Sequence, residues 1–116
     1  MFKRDNQNWV VYRRLPHLRE VDFHPIEGDD EFAFLGHYEK LDQWKSRTLE
    51  ALQQAQADGI EWLLFTHGHS TSGPGTQTAR STVRGVMRSK EATPFIIRRE
   101  CIQQSSVFLA AIRRRA

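Results

Sequence analysis

The chain has little of what marks a specialised setting. It carries one cysteine, Cys101, in 116 residues. A lone thiol closes no intrachain disulfide and builds no cysteine zinc cluster, so a reducing, cytoplasmic location is expected. No apolar run approaches the ~20 residues of a membrane-spanning helix, so no membrane association is expected. Met1-Phe2-Lys3-Arg4-Asp5 turns polar at once and does not read as a secretory signal. Gly-x-Ser-x-Gly, His-Glu-x-x-His and Rossmann glycine patterns are all missing, which removes the common hydrolase, zinc-protease and dinucleotide readings. There is no internal repeat and no low-complexity tract. A strong excess of one charge is also lacking. Lys plus Arg is 17 and Asp plus Glu is 14, a formal +3. That balance does not by itself establish nucleic-acid binding, so the placing of the charges must decide.

What is present suits one globular domain, with 39% hydrophobic and 27% charged residues. Residues 1–31 read as an N-terminal extension with one or two short strands. Its β-prone runs are Trp9-Val10-Val11-Tyr12 and Val21-Asp22-Phe23-His24. Residues 32–116 read as an α/β domain. Phe32-Ala33-Phe34-Leu35 is a compact apolar run, as in a buried strand. Leu41, Trp44, Thr48, Leu52 and Ala55 recur at spacings of three and four, which predicts a helix over 38–58 with Gly59 at its end. Ile60 to Thr66 predicts a strand apolar on both faces. A second helix is expected over 76–89, with Ala79, Val83, Val86 and Met87 inward, and Gly85 is read as easing its packing on the sheet. Strands are expected at 95–102 and 106–112. The order is strand, helix, strand, helix, strand, strand. That predicts a two-layer α/β sandwich on a mixed sheet, with the first two strands parallel and the last two an antiparallel hairpin.

The chemistry gathers after the second of these strands. Thr66-His67-Gly68-His69-Ser70-Thr71-Ser72 leads from a strand's carboxyl end into a helix, where open α/β sheets usually bind ligands. Backbone N–H groups of residues 68–72, three hydroxyls and a helix N-terminus suit a phosphate. The loop has no lysine and is not a nucleoside-triphosphate loop. Arg80, Arg84 and Arg88 follow at spacings of four, along one helix face. Arg80 and Arg84 lie nearest the loop and are candidate phosphate ligands; a solvated face is the other reading. His37 and His67 end the two predicted parallel strands, so both would reach one sheet edge as general base and acid. No carboxylate or thiolate is clearly paired with His37, His67 and His69, and no metal site is assigned. Arg98-Arg99 and Arg113-Arg114-Arg115 could extend a basic surface.

In order and spacing, residues 32–115 resemble the small MutS-related (Smr) domain. That family carries Asp-x-His-Gly at the end of its first strand and His-Gly-x-Gly-x-Gly about 30 residues later. Here His37 and His67 are 30 apart, and the second motif reads His67-Gly68-His69-Ser70-Thr71-Ser72. Leu35 stands where the family has its aspartate, Tyr38 where it has glycine, and Ser70 and Ser72 replace two loop glycines. A second register uses Asp22-Phe23-His24, which matches the first motif better but lies 43 residues before His67; spacing favours His37. The resemblance implies DNA or RNA binding with endonuclease (nicking or RNA-cleaving) activity. His37 and His67 would then be catalytic, with Gly68, His69, Ser70, Thr71, Ser72, Arg80 and Arg84 binding the nucleic acid. It implies no resident cofactor, although DNA cleavage would call for a divalent metal, and a ribosome or repair complex as the setting. Leu35 and the two serines motivate a catalytically inactive binding module as the alternative. Trp9–Tyr12 as a docking strand motivates a protein-interaction module.

Overall fold

The computed structural model describes residues 2–23, 37–67 and 79–114, with backbone alone at 37–41 and 79. Their order is β1 (Lys3–Arg4), a 3-10 helix (Trp9–Arg14), β2 (Leu18–Asp22), α1 (His37–Ala57), β3 (Trp62–Thr66), α2 (Ala79–Arg88), a second 3-10 helix (Arg98–Glu100), β4 (Ile102–Gln103) and β5 (Val107–Ala111). The fold is α/β, with a mixed five-stranded sheet in the order β1-β4-β5-β3-β2. β2 pairs with β3 and β1 with β4 in parallel, while β5 runs antiparallel to both β3 and β4.

α1 and α2 share one face of the sheet. Trp44, Leu52 and Ala55 from α1 and Val83, Val86 and Met87 from α2 are buried against Leu63, Phe65, Phe108 and Ala110. Thr48, in the same stripe of α1, is also buried, and its hydroxyl donates to the Trp44 carbonyl at 2.7 Å. Side chains alternate along a strand, so Leu64, Val107 and Leu109 point the other way. That second face is closed by Tyr12, Trp9, Val11 and Leu15 of the N-terminal segment. α1 ends as expected, in a left-handed Gly59 (φ 73°). The Gly59 N–H reaches the Gln56 carbonyl at 3.3 Å and the Ile60 N–H reaches Ala55 at 2.9 Å, which satisfies two carbonyls of the last turn.

Three expectations are corrected. Trp9–Tyr12 is not a strand. The Asn8 side chain accepts from the Val10 N–H and starts a 3-10 turn, and the turn delivers Tyr12 into the sheet face. Residues 95–102 are a strand only at Ile102. Before it the chain makes one bridge, Ile96 to Ile112, and a 3-10 turn. Arg98 explains the detour, because its guanidinium donates to the Met87 and Ser89 carbonyls at the end of α2 and so caps that helix. Gly85 does not ease packing, since it is exposed and a Cβ built there meets nothing within 4 Å. The Phe32–Leu35 strand lies outside the described residues. The 1–31 segment, read as an extension, supplies both edge strands.

Two outcomes follow. Gly85→Ala should stabilise the protein by about 0.5–1 kcal/mol in urea unfolding, because it removes only backbone freedom. Tyr12→Phe should cost about 1–2 kcal/mol, since the buried hydroxyl donates to Asp5 at 2.9 Å and accepts from Gln104 at 2.8 Å. Burial first, and then the Asp5 carboxylate, pushes the Tyr12 phenol from 10.0 up to about 12. The folded value exceeds the unfolded one. Its contribution is therefore full below about pH 10 and lost as pH rises through about 12. Tyr12→Phe should flatten that alkaline decline.

Candidate functional site

Four strands run the same way, so the carboxyl ends of β1, β2, β3 and β4 share one sheet edge with the start of β5. Arg4, Asp22, Thr66 and Gln103 end these strands. Asp22 stands opposite Thr66 in the β2–β3 register. The two strand ends are laced by the Phe23 N–H to the Thr66 carbonyl at 3.1 Å and by the Thr66 hydroxyl to the Val21 carbonyl at 3.4 Å.

His67 follows Thr66 at this edge, as expected. Its N–H donates to the Ser106 carbonyl at 3.2 Å, which ties the end of β3 to the β4–β5 turn. The residue is 2% exposed. An imidazole so enclosed suits a place beneath a surface site better than contact with bulk solvent. His37 is placed differently. It is the first residue of α1, and the parallel neighbour of β3 is Leu18–Asp22, not a strand that ends in His37. The physical reason is that β2 is an edge strand. None of its residues is fully buried, and Glu20 pairs with Arg13 at 2.7 Å and Arg19 with Asp58 at 2.8 Å. Its polar sequence therefore reads as weaker than Phe32–Leu35. Gly68, His69, Ser70, Thr71 and Ser72 lie outside the described residues, as does His24.

Arg80 and Arg84 do more than coat a helix. Both reach across the sheet edge to the β4–β5 turn. Arg84 donates to the Gln104 carbonyl at 2.9 Å and Arg80 to the Ser105 carbonyl at 3.3 Å. Arg84 is half-buried. Burial first, and then the charges of Arg80, Arg88 and Arg4, hold its pKa below the ordinary arginine value. None of these four arginines makes an ion pair among the described residues. Arg4 is the member that sequence reasoning missed. The start of the chain precedes the β-prone runs read in its extension, and only the parallel pairing of Lys3–Arg4 with Ile102–Gln103 carries Arg4 to this edge. The other basic runs are not gathered here. Arg98 caps α2, and Arg114 lies 3.9 Å from Glu61 at the opposite edge.

Chemically, the edge offers fixed guanidinium groups with their carbonyl contacts already made. That arrangement accepts an anion with two or more oxygens. Among the described residues no group of three His, Cys, Asp or Glu side chains is placed to hold a metal ion. Cys101 is buried in the core, and burial pushes its thiol up to about 11, so it is not a nucleophile at neutral pH. No family model, no curated protein and no solved structure matches this chain.

The fit of this edge to an anion has a direct check. Inorganic pyrophosphate should raise the melting temperature of the parent chain at constant ionic strength. An Arg80→Ala/Arg84→Ala variant should lose most of that rise, because the stabilisation follows ligand occupancy. Differential scanning fluorimetry reads both.

Proposed function

We propose that the chain binds the phosphate backbone of a nucleic acid at the carboxyl edge of its sheet. Arg80 and Arg84 are the main ligands, joined by Arg4. The observation that carries this reading is that Arg80 and the half-buried Arg84 are fixed on the β4–β5 turn beside Arg4, with no ion pair among the described residues. Such groups suit an anion, and a chain of phosphates supplies several at regular spacing. The resemblance to Smr domains points the same way. With the structure in view, its first motif fits the Asp22-Phe23-His24 register better than the His37 register. Asp22 closes the strand parallel to β3, whereas Leu35 precedes a helix that opens at His37.

A second reading adds cleavage. Asp22 at the end of β2, with His24 two residues on and His67 after the neighbouring strand, is the placing that favours it. In this reading Asp22 works at the surface, and His67 holds the edge from beneath. The Trp9–Tyr12 docking-strand reading loses its motive, since that segment closes the chain's own sheet.

Binding should weaken steeply with salt. Each phosphate contact contributes about 0.9 to the log–log slope on duplex DNA and about 0.7 on single strands. Arg84→Ala and Arg80→Ala should each lower the slope by about one contact in fluorescence anisotropy titrations. An unchanged slope in both variants would remove this site. In the second reading His24→Ala or Asp22→Asn should abolish cleavage while leaving affinity within about twofold, as about 0.4 kcal/mol or less of lost binding would read.

A further inference from the structure

Next to Arg84 the edge opens into a polar cleft of about 440 Å³, between the segment after β1 and the β4–β5 turn. Arg4, Asn6, Gln7, Arg84, Gln103 and Gln104 line it. We propose that this cleft takes one unstacked nucleotide, so that the nucleic acid bound at the edge is single-stranded. The proposal rests on the phosphate-backbone reading and adds to it the class of strand.

Three observations carry it. First, charge and neutral hydrogen-bonding groups sit together. Arg4 and Arg84 supply the charge, and carboxamides of asparagine and glutamine make up much of the rest. Phosphate needs only the former, whereas a base edge is read by paired donors and acceptors such as a carboxamide supplies. Second, two shielded polar atoms in the wall have no hydrogen-bond partner among the described residues, the Arg84 Nε–H donor and the Gln103 Oε1 acceptor. A buried donor and a buried acceptor left so are expensive. Every Watson–Crick edge carries an acceptor beside a donor, the complement of that pair. Third, the size is right for one nucleotide and too small for a base pair with its neighbours, lying at the lower end of ordinary ligand clefts. In a duplex the Watson–Crick edges are already engaged and turning a base out costs a few kcal/mol, so such a cleft favours strands whose bases are free to turn out.

The wall is pre-set by the fold. Gln104 donates to the Gln7 carbonyl at 3.1 Å and to the Tyr12 hydroxyl at 2.8 Å, which fixes the two sides of the cleft relative to each other. Asp5 also lines it, but its carboxylate is turned to the Gln7 N–H at 3.0 Å and to the Tyr12 hydroxyl at 2.9 Å. Those contacts occupy its oxygens within the N-terminal segment.

The test is fluorescence anisotropy with the full chain. It would use labelled single-stranded RNA and DNA of mixed sequence and the matching duplexes, across a range of salt. Gln103→Met and Asn6→Ala keep the charge constant, and Asn6 belongs to no strand, so that variant folds even if the other does not. The expected result is a loss of roughly three- to tenfold on single strands per variant. Duplex affinity and the salt slope should stay unchanged. If the parent binds single strands and both variants bind them equally well, the cleft proposal fails and the phosphate reading stands. If both forms weaken equally in the variants, the cleft proposal fails in the same way. If the parent binds neither form, both fall together.

Discussion

The fold turns on two strands that are buried on both faces. β5 shows no exposed residue, and β3 is buried from Leu63 to Thr66. Strands of this kind must be covered twice. The helices cover one face with Trp44, Leu52, Val83 and Met87. The chain has no third long helix among the described residues to cover the other, and the N-terminal segment does it with Trp9, Val11, Tyr12 and Leu15. This requirement brings the start of the chain onto the sheet. There it adds β1 beside β4, and with it Arg4 at the carboxyl edge. A packing need on one face thus completes a charged cluster at the end of the sheet.

Electrostatics and hydrogen bonding share the work at that edge. The guanidinium groups of Arg80 and Arg84 are held by carbonyls of the β4–β5 turn, so they are oriented without being neutralised. An acidic partner would have satisfied them and closed the site. The same turn is fastened to the N-terminal segment through Gln104 and Tyr12. Helix, turn and N-terminal segment therefore hold one geometry, and an anion that binds there meets groups already in place. Arg98 contrasts with this. It has the same chemistry, but it is spent on the carbonyl end of α2 and has little left for a ligand.

Much of this was legible in the residues, and the rest failed for definite reasons. The stripe of α1, the Gly59 stop, the buried β3 and the antiparallel β4–β5 pair all follow from periodicity and turn chemistry. So does the joint position of Arg80, Arg84 and His67 near one sheet edge. β2 reads as weak because none of its residues is fully buried, and Arg19 and Glu20, on opposite faces, are held in ion pairs with Asp58 and Arg13. The Trp9–Tyr12 run was misread because β-branched and aromatic residues favour any half-buried surface, and here Asn8 turned them into a 3-10 helix. Residues 95–100 departed from a strand because Arg98 is drawn to the end of α2, a tertiary contact that no local pattern encodes. Arg4 was invisible for the same reason, since its role depends on a pairing partner about a hundred residues away.

The central claim is that the carboxyl edge of the sheet is the nucleic-acid face. Amide chemical-shift mapping with a short single-stranded oligonucleotide tests it most directly. The account places the shifts at Arg4, His67, Arg80, Arg84, Gln104 and Ser105, in one contiguous patch, and leaves His17, Gly59, Glu61 and Arg114 at the opposite edge unmoved. Shifts centred on Arg113 and Arg114, or scattered over both edges, would contradict it.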